Sequence, residues 1–132
     1  MTEDDLKKRT KRFALRILKL VAALPRTIAG RTIGNQLARS GTSVPANYRA
    51  ACRARSKAEF ISKLGIVEEE ADESAFWLEM IIEGELLKKQ RVEPLWNDER
   101  ISGNYDKFEK ISFTRTRYDL FWPSRANRKS EI

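Results

Sequence analysis

The stretch that begins at Ser56 constrains the fold of this chain more than any other. Ser56 and Glu59 have the spacing of a capping box, in which the serine oxygen accepts a backbone N–H and the glutamate reaches back to the serine. Small or apolar residues then alternate at intervals of four and three: Phe60, Leu64, Val67, Ala71, Ser74, Leu78 and Ile81. This period predicts a long amphipathic helix that ends near residues 88–90, where two lysines suit a helix C-terminus. Gly65 inside the pattern predicts a close contact with a neighbouring helix.

The rest of the chain also favours long helices, because six glycines and four prolines in 132 residues leave few places to turn. A first helix is predicted from Asp4 to Leu24, before Pro25. Its apolar side chains share one helical face: Leu6, Phe13, Ile17, Leu20, Val21 and Leu24.

A second helix is predicted from Thr27 to Ala54, although residues 40–46 are small and polar and include Pro45. A loop is one interpretation of that segment. We favour a continuous, kinked helix, because proline clashes with the carbonyl four residues earlier and that residue is Gly41, where the backbone has room to relax. Small residues there also let a neighbouring helix come close.

The pattern is weaker after Arg91. Val92, Leu95 and Trp96 extend an apolar face past Pro94, and residues 102–104 suggest a break. Residues 106–121 fit either a fourth helix or an irregular aromatic segment. We therefore expect an all-α protein, an antiparallel up-and-down four-helix bundle, with a single domain over residues 4–122 and a disordered tail over 123–132.

Cys52 is the only cysteine, so an internal disulfide is impossible and a reducing compartment is expected. The acidic N-terminus does not look like a secretory signal, and no apolar stretch is long enough for a membrane span. These features predict a cytoplasmic protein.

Cys52 has arginines nearby that would activate a thiolate, but a lone thiol in a helix more often packs in the core.

The chain contains few of the residues that catalytic sites commonly use. The chain has no histidine, which removes the commonest general base and the commonest metal ligand, and it has no phosphate-binding glycine loop. We therefore expect no enzymatic activity, no cofactor and no metal. The acidic cluster of Glu68, Glu69, Glu70, Asp72, Glu73 and Glu79 is better suited to face arginines of other helices or of another subunit than to bind a metal.

Charge is distributed unevenly along the chain. Residues 1–58 carry a net charge of +11, residues 59–99 a net charge of −8, and residues 100–132 a net charge of +4. Arginine binds phosphate or carboxylate with two parallel hydrogen bonds. The basic residues of the second helix and its flanks are therefore candidates for contact with nucleic acid, if they are not neutralised by the acidic third helix: Arg26, Arg31, Arg39, Arg49, Arg53, Arg55 and Lys57.

Residues 36–47 (QLARSGTSVPAN) and 53–64 (RARSKAEFISKL) resemble the family of proteins encoded by 23S rRNA intervening sequences, also labelled ribosomal protein S23. The likeness extends over roughly residues 10–92. The resemblance implies an antiparallel four-helix bundle that assembles as a ring-like homopentamer. It also implies similarity to the accessory protein of diversity-generating retroelements, a basic pentamer that binds nucleic acid and a reverse transcriptase. The family motif falls on Arg39, Ser40, Ser43 and Asn47, and the basic positions fall on Arg49, Arg53 and Arg55.

Two functions follow as hypotheses. The first is a non-catalytic bundle that binds RNA through its arginine-rich face. The second is an oligomeric scaffold or adaptor that binds another protein through the second-helix motif or through the aromatic residues Phe113, Tyr118, Phe121 and Trp122.

Overall fold

A computed structural model describes residues 2–102, with side chains as far as residue 97. Four helices follow one another: α1 (Glu3–Ala22), α2 (Ile28–Cys52), α3 (Lys57–Glu83) and α4 (Lys89–Ser102). The short connections at residues 23–27, 53–56 and 84–88 make each helix run antiparallel to the one before it. The predicted all-α four-helix bundle is therefore confirmed. The predictions for residues 106–121, for the domain end at 122 and for the tail at 123–132 lie outside the described residues.

Side-chain caps begin the first three helices, and the cap at Ser56 was predicted from the sequence. Ser56 accepts from the backbone N–H of Glu59 at 3.1 Å, as predicted. The Glu59 carboxylate, however, accepts from the N–H of Arg55 rather than from that of Ser56. Thr27 caps α2. In α1, Thr2 and Asp5 form a complete capping box, and the backbone hydrogen bond from Thr2 lowers the pKa of Asp5.

The second helix continues through Pro45, which confirms the helical interpretation over the loop. Hydroxyl groups bond to carbonyls in the turns before the proline: Thr42 Oγ1 donates to Ala38 O at 2.7 Å, and Ser43 Oγ donates to Arg39 O at 2.7 Å. These bonds supply hydrogen-bond donors to backbone carbonyls in a segment where Pro45 has no N–H to donate.

The third helix ends at Glu83, earlier than the predicted end at residues 88–90. The Leu86 N–H bonds to Ile81 O and the Glu85 N–H bonds to Ile82 O, the two hydrogen bonds of a Schellman motif. Glu85 occupies the left-handed position of this motif at φ 55°. Glycine usually occupies that position. Because glutamate occupies it here, no local signal in the sequence indicated the end of the helix.

Val92, Leu95 and Trp96 belong to a separate fourth helix rather than to an extension of α3. Val92 and Leu95 are buried in the core, and Trp96 packs against it. Pro94 lies in the second turn of α4, where it has no N–H to donate to the carbonyl of Gln90 four residues earlier.

Small residues of α2 bring the first two helices together. A Cβ added to Gly41 would lie 2.9 Å from Cγ2 of Ile17, and one added to Gly34 would lie 3.3 Å from Val21 and Leu24. The predicted close approach at small residues of α2 is thus confirmed. The prediction for Gly65 is wrong, because a Cβ there would meet no atom within 4 Å.

The core of the bundle is apolar and draws on all four helices. Its fully buried large side chains are Ile17, Leu37, Leu78, Ile81 and Val92. None of the helices in residues 2–102 combines the length and the apolar character that crossing a lipid bilayer requires.

Candidate functional site

Arg39, the first residue of the α2 motif, is engaged by two carboxylates of α3. Its Nη1 lies 3.1 Å from Oε2 of Glu70, and its Nη2 donates to Oε1 of Glu73. The hydrogen bond from Arg39 lowers the pKa of Glu73, and the same bond raises the pKa of Arg39. Carboxylates within the bundle therefore neutralise the charge of Arg39. The sequence left open whether this residue contacts nucleic acid or the acidic third helix, and the structure shows the contact with the third helix.

Ser40, the second motif residue, is fully buried against α3. Its hydroxyl oxygen lies 2.8 Å from that of Ser74, which is also fully buried. Each hydroxyl also reaches a carbonyl of its own helix: Ser40 bonds to Leu37 O at 3.3 Å and Ser74 to Glu70 O at 2.9 Å. The pair supplies a polar contact between α2 and α3 in an otherwise apolar interface.

The last two motif residues bond to the backbone of their own helix. Ser43 donates to Arg39 O, and the Asn47 side-chain amide donates to Ser43 O at 2.9 Å. Together with Arg39 and Ser40, they show what the motif does in this chain. It joins α2 to α3 through Arg39 and Ser40, so it is a helix–helix contact, and it supplies donors to helix carbonyls in the turns before Pro45.

Three of the predicted basic residues gather where α2 passes into α3. Arg49 lies in the last turn of α2, and Arg53 and Arg55 lie in the connection to α3. All three are exposed, and among the described residues none of their side chains forms an ion pair. We call these three residues the basic end. Lys57 follows them at the first position of α3 and is half-buried.

Arg26 and Arg31 are exposed but lie at the opposite end of the bundle. The 22 residues from Arg31 to Arg53 span about 33 Å at the helical rise of 1.5 Å per residue. The seven predicted residues therefore do not form one continuous face. They divide into the basic end with the half-buried Lys57 beside it, a distant pair and an internally paired Arg39.

Sequence reasoning missed further basic residues at both ends. Lys88, Lys89 and Arg91 are exposed near the start of α4, at the same end as Arg26 and Arg31. Lys8 is exposed in α1 at the basic end, where the acidic first turn of that helix also lies. Helices joined by short connections run antiparallel, and this order could have assigned these residues to the two ends of the bundle from the sequence alone.

The acidic cluster of α3 is divided among several contacts. Glu70 and Glu73 hold Arg39, which confirms its predicted role as a face for arginine, and Glu79 accepts from Nε1 of Trp96 at 3.3 Å. Within the described residues, no three potential ligands gather around a metal position. Cys52 is buried in the core, in agreement with the packing interpretation.

Comparison with known proteins agrees with this architecture. A crystal structure from Bacteroides thetaiotaomicron VPI-5482, of a protein with unknown function from the S23 ribosomal protein family, is 34% identical to the chain. The match covers 83% of this chain and 99% of that one, with a TM-score of 0.71. A search of curated proteins finds no match. The family model of the 23S rRNA-intervening sequence protein matches residues 3–102, nearly the whole described bundle. The chain therefore belongs to the family of 23S rRNA-intervening sequence proteins.

Proposed function

We propose that this protein is a non-catalytic bundle that binds RNA through the basic end. The observation that carries the proposal is the local excess of positive charge: Arg49, Arg53 and Arg55 lie within seven residues, are exposed, and pair with no carboxylate of the described residues. Exposed arginine forks of this kind are well suited to phosphate oxygens.

The form of the basic end favours a polyanion over a small anion. The three arginines project from a helix end and a connection instead of converging in an enclosed pocket. An extended phosphate backbone meets exposed side chains of this kind with several contacts at once, whereas one small anion reaches few of them. The family description, which refers to 23S rRNA, makes RNA the first polyanion to test.

Salt dependence is the direct test. Binding of a structured RNA that uses three arginines should weaken with salt along a logarithmic slope of about −2 to −3. Replacing Arg53 by alanine should weaken binding at low salt and reduce the magnitude of the slope by about 0.7–0.9. Fluorescence anisotropy at several salt concentrations measures both quantities.

Arg39 provides a matched control, because Arg39→Ala changes the net charge by the same amount as Arg53→Ala. Its charge is already neutralised by Glu70 and Glu73, so this variant should bind RNA almost as the wild type does. The double variant Arg26→Ala/Arg31→Ala tests the opposite end of the bundle and should also retain binding. An absence of binding at low salt, or an equal loss in all three variants, would reject the proposal.

Binding of another protein is the second candidate function. The first two residues of the α2 motif are engaged by α3, Arg39 through carboxylates and Ser40 through its buried hydroxyl. The aromatic residues 113–122 lie outside the described part of the chain. The observation that favours protein binding is instead a set of exposed apolar side chains on α1 and α3: Leu15, Leu18, Ile61, Phe76 and Met80.

A further inference from the structure

The end of the bundle opposite the basic end combines exposed positive charge with an exposed apolar residue. Ile28, in the first turn of α2, is 79% exposed, more than any other large apolar side chain that the structure describes. Five basic residues at this end are exposed and form no ion pair within the described part of the chain: Arg26, Arg31, Lys88, Lys89 and Arg91. We call these five residues and Ile28 the far end.

An open pocket of about 750 Å³ lies in the connection between α3 and α4. Three half-buried apolar side chains that pack against the core line it: Ile82, Leu86 and Leu87. The basic residues that the far end takes from positions 88–91 also line it, beside Glu85. The pocket therefore offers apolar contact next to positive charge.

The packing of α2 on α3 brings Ile28 level with this pocket. Ser40 contacts Ser74, and the two helices run antiparallel. Ile28 lies twelve residues before Ser40, and Leu86 lies twelve residues after Ser74, so the two stand at about the same height along the bundle. Packed helices lie about 8–10 Å apart, so a single partner can cover both the pocket and Ile28.

The shape and the lining of this surface favour a protein as its partner. A small molecule in an open pocket keeps much of its own surface in water and does not cover Ile28 on the neighbouring helix. A nucleic acid that contacts the basic residues through its phosphates leaves the apolar side chains unused. A protein segment closes the pocket and provides apolar and charged groups in the same contact.

We propose that the far end binds an acidic segment of another protein, which places an apolar side chain in the pocket and directs carboxylates toward the basic residues. The five basic residues outnumber the acidic residues of the same region, which are Glu83, Glu85 and Glu93. Arginine binds carboxylates with two parallel hydrogen bonds. The proposal rests on the second candidate function, protein binding, and assigns it a surface apart from the basic end.

The backbone beside the pocket is ordered before a partner binds. The Leu86 N–H bonds to Ile81 O at 3.0 Å, and the Glu85 N–H bonds to Ile82 O at 3.1 Å. These bonds hold Leu86 against the end of α3, so the connection loses little conformational entropy on binding.

A displayed library of random peptides tests the proposal on the whole protein. Peptides selected on the wild type are synthesised, and their affinities are measured for Lys88→Glu/Lys89→Glu, for Ile28→Ser and for the control Arg49→Glu/Arg53→Glu. All five residues are exposed, and the control changes the net charge as much as the far-end charge variant does. Circular dichroism establishes that the variants remain helical.

The selected peptides should combine Asp or Glu with Leu, Ile or Phe. Their affinity should fall about tenfold in Lys88→Glu/Lys89→Glu and about tenfold in Ile28→Ser, and it should stay within about twofold in the control. RNA binding should show the reverse pattern, with a loss in the control and little change in the far-end charge variant.

Four results would overturn the inference. Peptides insensitive to both far-end variants would reject the far end and leave protein binding itself in place, whereas a selection without binders would reject both. Equal losses in the two charge variants would indicate general attraction to positive charge. Loss of RNA binding in the far-end charge variant would assign this surface to nucleic acid. A lower mass of that variant in sedimentation would assign it to a second copy of the chain.

Discussion

The hydroxyl oxygens of Ser40 and Ser74 lie 2.8 Å apart, fully buried, and join α2 to α3 at the centre of the bundle. One residue belongs to the family motif, and the other is a core position in the apolar repeat of α3. The contact explains why a serine stands in each helix at a place where an apolar side chain would otherwise fit.

Removal of either hydroxyl should destabilise the fold. We expect Ser74→Ala to lower the free energy of unfolding by about 1–3 kcal/mol, because the buried Ser40 hydroxyl then keeps only a long bond to Leu37 O. The double variant Ser40→Ala/Ser74→Ala should cost less than the sum of the single variants. Urea unfolding of all four proteins measures this coupling, and strictly additive effects would contradict it.

Gly41 and Gly65 should respond in opposite ways to alanine. At Gly41 the new methyl group would lie 2.9 Å from Ile17, a fully buried branched side chain, so the helices must separate at a cost of about 1–3 kcal/mol. At Gly65 the methyl group meets nothing, and the higher helix propensity of alanine should stabilise the fold by about 1 kcal/mol. Thermal unfolding at low protein concentration distinguishes the two, and a stabilising Gly41→Ala would refute the close approach.

Glu85→Gly should stabilise the protein by about 1 kcal/mol. Glu85 adopts a left-handed backbone conformation that is costly for residues with a Cβ, and glycine adopts it without that cost. Denaturant unfolding of the variant measures the gain. Glu85→Ala is the control, since it removes the carboxylate but keeps the Cβ, and it should show no comparable gain.

Acid should weaken the link between Arg39 and Glu73. The pKa of Glu73 in the folded state is lowered from its ordinary value of 4.5, so its contribution is complete above that pH. The contribution is lost as pH falls through the lowered pKa, because the unfolded chain then binds the proton more readily. Glu73→Gln should therefore show a shallower loss of stability below pH 4.5 than the wild type. Identical acid profiles would contradict this assignment.

Local signals in the sequence determined much of the fold. The Ser56 cap fixed the start of α3, and the 4-3 spacing identified its core side, with Leu78 and Ile81 fully buried. The end of α3 escaped prediction because Glu85 occupies a position where glycine is expected. Gly65 was misjudged because a sequence does not reveal whether a glycine faces a neighbouring helix or open space.

The candidate site was harder to predict than the fold. Counting charges in the sequence did not distinguish Arg39 from Arg53 as candidates for RNA binding. The packing of α2 on α3 does distinguish them, because it pairs Arg39 with two carboxylates and leaves Arg53 exposed. Ser40 was recognised as a motif position, but its partner Ser74 lies 34 residues away in the chain. Contacts over such distances depend on helix register, which local patterns do not specify.

The position of the basic end at one end of the bundle has a consequence for stoichiometry. Arg49, Arg53 and Arg55 lie where α2 passes into α3, and the long sides of the bundle carry none of them. A chain that contacts a strand with one end only occupies a short length of it, so a long polyanion has room for many chains. The number of bound chains should therefore grow in proportion to the length of the strand.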